Sequence, residues 1–154
     1  MNKVHTDKLL KDFPKLYSGY YEGMQHTCMC WGFSCGDGWY DLIYKLSTDL
    51  VAIDPNLKAT QVKEKFGGLR FYTEGYDRNV QIVISRAEEE SYKTCEECGS
   101  TEDVTQTKGY IISLCPKCKV EHEKPTPNRD MEETIKEINR VRKQSGQKPV
   151  GGSK

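Results

Sequence analysis

The chain has 154 residues, and Lys+Arg and Asp+Glu balance at 23 each. That length suits one compact domain with or without a tail, and the neutral balance argues against a surface coated throughout by nucleic acid while leaving local patches open. Apolar residues make up only 36%, a lean core that a metal staple would help, and no apolar run approaches the roughly 18 residues of a helical membrane span.

Leu9, Leu10, Phe13, Leu16 and Tyr17 recur at helical spacing near the start, and Pro14 interrupts them. Residues 23–38 read as a loop rich in Cys and Gly. A helix is expected next, because Trp39, Leu42, Ile43, Leu46, Leu50 and Ile53 form a stripe at 3.6-residue spacing. Asp37 stands where its N-cap is wanted, and Asp54-Pro55 stops it. Gln61–Phe66 and Leu69–Tyr72 read as a hairpin turning at Gly67-Gly68. Asp77 is placed to cap a helix carrying Val80, Val83, Ile84 and Ala87. Pro125-Thr126-Pro127 reads as a break. Asp130 and Glu133 resemble a capping box for a last helix carrying Met131, Ile135, Ile138 and Val141. The organisation expected is an N-terminal α+β region (1–93), a metal module (94–124), a C-terminal helix (125–144) and a flexible tail (145–154).

The metal module rests on Cys95-Glu96-Glu97-Cys98-Gly99 and Cys115-Pro116-Lys117-Cys118, sixteen residues apart. Two cysteines three apart on a tight turn aim both sulfurs at one ion, and two such pairs supply the four-sulfur shell that zinc prefers. A redox pair or free thiols explains the pattern less well, since redox CxxC motifs come singly beside a βαβ unit. The spacer reads as a hairpin turning at Lys108-Gly109, and Cys115 opens a short helix. That is the order of a treble-clef finger, with a zinc ribbon the close alternative. A shell of four sulfurs has no place for a reactive water, so the zinc is expected to be structural. Seven cysteines and no apolar leader at Met1–His5 suggest a reducing cytoplasm.

His26, Cys28, Cys30 and Cys35 form a second, irregular cluster. With neither a CxxC pair nor a second half, they read as small residues packed in the loop rather than ligands. Lys63, Lys65 and Arg70 are expected to share one face of the hairpin, able to hold phosphates, with Tyr72, Tyr76 and Trp39 as stacking surfaces. The plainer role for these lysines is to guard an edge strand. Asp37 is either a general acid or base or a helix cap. Residues 134–154 carry six basic residues against one acidic, either a nucleic-acid-touching arm or an amphipathic helix with its charges in solvent. The three histidines are too scattered for an HNH-like nuclease within the finger.

Two stretches together carry a resemblance. Cys30-Trp31-Gly32-Phe33-Ser34-Cys35-Gly36-Asp37-Gly38-Trp39 and Gln61-Val62-Lys63-Glu64-Lys65-Phe66-Gly67-Gly68-Leu69-Arg70-Phe71-Tyr72, followed by a helix and a CxxCG half-finger, resemble a family of small bacteriophage and prophage proteins. The resemblance covers about residues 13–118 and brings no catalytic residues. It implies an accessory protein working in the bacterial cytoplasm. The expectation is therefore an α+β, non-enzymatic zinc protein that binds a host macromolecule, protein or nucleic acid. The alternatives are a direct nucleic-acid binder and a nucleotide-binding or nucleotide-processing protein using Asp37, Lys63, Glu64 and Arg70.

Overall fold

A computed structural model describes residues 1–123 and 131–144. Among the described residues, five α-helices and two small sheets make a mixed α+β arrangement: α1 (Lys3–Asp12), β1 (Phe33–Ser34), α2 (Tyr40–Ile53), β2 (Ala59–Lys65), β3 (Gly68–Thr73), α3 (Arg78–Ser91), β4 (Thr105–Gln106), β5 (Ser113–Leu114), α4 (Pro116–Glu123) and α5 (Met131–Gln144). Residues Met1–Glu121, the cysteine pairs included, make one compact unit, and His122–Lys154 belong to a second.

Helix α1 starts where the Asn2 side chain accepts the His5 N–H and ends ahead of Pro14. Helix α2 buries Leu42, Ile43, Leu46 and Leu50, and stops at Asp54. Its start differs from the expectation at Asp37. That residue opens a short 3-10 turn, Asp37–Trp39, and no side chain caps α2. Helix α3 is capped by Asp77, whose carboxylate accepts the N–H groups of Asn79 and Val80.

In the larger sheet β1 runs parallel to β2, and β2 antiparallel to β3. Val62 faces Phe71 and Glu64 faces Leu69 on one side; Gln61 faces Tyr72 and Lys63 faces Arg70 on the other. Lys65 pairs with Gly68, so the hairpin turns at Phe66-Gly67, one residue earlier than Gly67-Gly68. Both turn residues have positive φ, 55° at Phe66 and 76° at Gly67, as a type I′ turn requires. Asn-Gly is the usual filling, and a bulky L-residue held there costs about 1 kcal/mol. Gly68 is needed for another reason: a Cβ there would lie 2.4 Å from the Tyr92 ring.

The outer edge of β3 is closed by helix α3. The Leu69 N–H donates to Ser91 Oγ at 2.8 Å, and the Phe71 N–H to Glu88 Oε1 at 3.4 Å. The main core gathers Leu9, Leu16, Tyr17, Met29, Trp39, Ile43, Leu50, Val62, Leu69 and Val80, all 1% exposed or less. The buried Tyr17 hydroxyl is satisfied by Ser47 Oγ at 2.5 Å. A smaller core of Ile112 and Leu114 packs with Cys95 and Cys115.

Helix α5 is amphipathic, and its last turn carries Arg142 and Lys143, the charge sign that suits a helix C-terminus. Ile138 and Val141 are 42% and 53% exposed. The break expected at 125–127, the cap at Asp130 and the tail at 145–154 lie outside the described residues. Among the described residues, no helix is long and apolar enough to cross a membrane.

Candidate metal centre and binding face

Cys95 and Cys98 lie on a tight turn after α3, and Cys115 and Cys118 lie at the start of α4. The β4–β5 hairpin brings the two pairs together. All four sulfurs lie within 4.8 Å of one another, and Cys98 and Cys115 are 3.7 Å apart. Four thiolates about 2.3 Å from one ion would define a tetrahedron with edges of about 3.8 Å, so the set fits a single metal ion. Among the described residues this is the one group of three or more Cys, His, Asp or Glu so clustered.

The backbone supports the thiolates. A hydrogen bond from the Cys118 backbone N–H lowers the Cys115 thiol to about 7. Burial and the crowding of the other sulfurs raise Cys118. A cation bound here would displace the protons of these thiols. Gly99, at φ 77°, completes the first turn by donating to the Cys95 carbonyl at 2.9 Å.

The turn is fastened to the body from two directions. On one side lies Cys35-Gly36-Asp37-Gly38. Gly36 N–H donates to Glu96 Oε1 at 2.9 Å, and Gly38 N–H to the Glu96 carbonyl at 2.7 Å. A Cβ would sit 2.3 Å from the Glu96 carbonyl oxygen on Gly36 and 2.7 Å from it on Gly38, so the backbones meet only because positions 36 and 38 are glycine. Trp39, with no exposed surface, donates its indole N–H to the Thr94 carbonyl at 2.9 Å. On the other side Glu96 N–H donates to the Ser113 carbonyl at 2.9 Å, and Ser113 Oγ donates to the Gly67 carbonyl at 2.6 Å.

These contacts locate the residues singled out from the sequence. Trp39 is a core residue and has no face for a ligand. Asp37 accepts the Asn2 N–H at 2.6 Å and bonds His5 Nδ1 at 3.0 Å. The Asn2 contact first, then His5, holds its carboxyl below the ordinary range. Arg70 lies across from Lys63 but turns its guanidinium away, to the Leu69 carbonyl at 2.7 Å and Tyr92 Oη at 3.0 Å, with Glu88 4.0 Å off. The Tyr92 bond raises its pKa further. Glu64, on the opposite face from Lys63, accepts the Gly67 N–H at 2.7 Å and the Tyr110 hydroxyl at 3.3 Å. Asp37, Lys63, Glu64 and Arg70 therefore share no common partner.

What remains on the solvent face is Gln61, Lys63 and Lys65 along β2, with Tyr72 beside Gln61. Lys63 is half-buried, and Lys65 and Tyr72 are exposed. Tyr72 also borders an open groove of about 520 Å³ that reaches His26 and Cys28. In the second cluster Cys28 is exposed, Cys30 is half-buried with its thiol donating to the Thr27 carbonyl at 3.1 Å, and Cys35 is buried, its thiol pushed up to about 12 by burial. Loop packing thus describes Cys35 and, in part, Cys30, but not Cys28.

Phe66 and Tyr110 did not stand out in the sequence, yet they are 65% and 73% exposed on two adjacent turns. Together they border a cavity of about 280 Å³. The available signal was an aromatic residue directly before Gly67, where a hairpin favours Asn or Asp.

Comparison with protein-family models, with curated proteins and with solved structures returned no match.

Proposed function

We infer that this is a zinc-stapled, non-enzymatic accessory protein of the bacteriophage type. It binds a host macromolecule through the solvent face of its larger sheet, and single-stranded nucleic acid is the class that this face fits best. The observation that carries the reading is the row Gln61, Lys63 and Lys65 beside Tyr72. Among the described residues Lys63 has no carboxylate partner, and its cross-strand neighbour Arg70 is occupied by Tyr92. Two ammonium groups on one side of a strand with an exposed ring alongside make a track for phosphates and a platform for a base.

Zinc is the metal for this donor set, since four thiolates in a tetrahedron are its characteristic structural shell. The order of turn, hairpin and ligand-bearing helix is that of a treble clef. With all four positions filled by sulfur, the metal shapes the fold and leaves chemistry to neighbouring surfaces. The reducing bacterial cytoplasm suits such a thiolate site. The nucleotide-processing alternative gains nothing from the geometry, because Asp37, Glu64 and Arg70 are each engaged within the fold.

The test is fluorescence anisotropy with a labelled oligothymidylate at rising salt. Binding that weakens along a straight log–log line is expected. No binding at low salt would sink the nucleic-acid reading.

A further inference from the structure

Two turns meet at one end of the molecule, and each exposes an aromatic ring. Phe66 crowns the β2–β3 hairpin in left-handed backbone geometry, with the Lys65 ammonium 5.5 Å from its ring centre. Tyr110 follows Gly109 (φ 83°) at the tip between β4 and β5. Between them lies the 280 Å³ cavity, floored by Ile111 and Glu64. The turns are locked together by Ser113 Oγ on the Gly67 carbonyl and by Tyr110 Oη on Glu64.

Three features set these rings apart from incidental surface aromatics. Phe66 occupies a left-handed turn position where a bulky side chain is costly, and strain of this kind gathers at ligand clamps. Its ring nevertheless stays in solvent, so core packing does not repay that cost. The Glu64 carboxylate is taken up by the Gly67 N–H and the Tyr110 hydroxyl, while Lys65, which also lines the cavity, is exposed. The opening is therefore walled by two rings and Ile111, with the Glu64 carboxylate hydrogen-bonded in its lining and the Lys65 ammonium beside it.

We propose that Phe66 and Tyr110 form a clamp for one unstacked nucleobase of a single strand, at the end of the Lys63–Lys65 track. This deepens the nucleic-acid reading and rests on it. An aromatic face accepts any base, and the neighbouring lysines hold the flanking phosphates. Lys63 and Lys65 lead along β2 straight into the Phe66 turn. Tyr110 belongs to the spacer between the cysteine pairs, which makes the clamp dependent on the metal.

The decisive variant is Phe66→Asn. Asparagine tolerates the left-handed conformation, so melting should rise by about 2–4 °C while the ring is lost. Binding of a labelled twelve-residue oligothymidylate should weaken on the order of tenfold, as for loss of one stacked base. Tyr110→Ala should weaken it similarly. An abasic oligonucleotide of the same length should bind wild type and Phe66→Asn equally. Full affinity in a stabilised Phe66→Asn protein overturns the clamp and leaves the sheet-face reading intact, whereas no preference of wild type for the base-bearing strand overturns the clamp and the Tyr72 base platform together and leaves only the lysine track. Absence of binding to either strand overturns both.

Discussion

Gly38 lies against Cys95 so closely that a Cβ on the glycine would come within 2.2 Å of the Cys95 carbonyl oxygen. The contact joins the loop that precedes α2 to the turn carrying the first cysteine pair, 57 positions further along the chain. Neither backbone can retreat, because Gly38 N–H is bonded to Glu96 and Gly99 N–H to Cys95.

Gly38→Ala should therefore cost at least about 3 kcal/mol, at the upper end for an overpacked interior. Gly23→Ala, with nothing within 4 Å of the new methyl group, should be close to neutral. Urea denaturation of the two variants checks the contrast. Equal midpoints would remove the argument for the glycine contact.

Removing the metal should release both sides of this junction at once. Purified protein should carry one zinc per chain by elemental analysis, and a chelator should lower the melting temperature by about 10 °C or more, since a structural zinc contributes several kcal/mol to folding. Cys98→Ser should lose most of the metal. Acid should release zinc as well, because protons compete for the thiolates. Chain that purifies free of metal with unchanged melting in chelator would refute the site.

Asp37 supplies a separate pH dependence. Its carboxyl is held below the ordinary range by the Asn2 N–H and by His5. A carboxyl depressed in the folded state adds stability that is complete above its unfolded value, about 3.9, and vanishes as pH falls through the folded value. Asp37→Asn should flatten that acid limb while leaving stability between pH 6 and pH 8, a span of about two units, nearly level. The residue is partly exposed, so the effect should be modest. Urea midpoints across the acid range measure it.

The lysines and the arginine of the hairpin should behave differently. Lys63→Ala with Lys65→Ala should leave melting nearly unchanged and reduce the salt slope of oligonucleotide binding by about 0.7 per lysine. Arg70→Ala should act first on stability, by about 1–3 kcal/mol, since it strips a partner from Tyr92 and a cation from beside Glu88. A steep loss of binding in Arg70→Ala at unchanged stability would reassign Arg70 to the interface.

The cysteine ligands were legible in the sequence because a CxxC pair is a local geometric unit, and two of them need only a hairpin to meet. Helix α3 was legible from Asp77 for the same reason. The hairpin turn sits one residue earlier than the glycine pair suggests. Gly67-Gly68 looks like a single turn signal, but the two glycines answer different demands, positive φ at Gly67 and the Tyr92 ring at Gly68. Trp39 and Arg70 were hidden more deeply. An indole and a guanidinium suit a ligand as well as they suit a carbonyl or a tyrosine, and only the tertiary arrangement shows that Thr94 and Tyr92 already hold them. Phe66 was masked by its own rule-breaking, since turn chemistry predicts Asn or Gly in its place.

The edges of the larger sheet have a consequence for how the protein behaves in a crowd. On one side Ser91 and Glu88 occupy the amides of Leu69 and Phe71. On the other, β1 is only two residues long. On the β3 border a foreign strand therefore finds both of these amides already taken by α3, and on the β1 border it meets a strand too short to extend, which opposes fibre growth through this sheet.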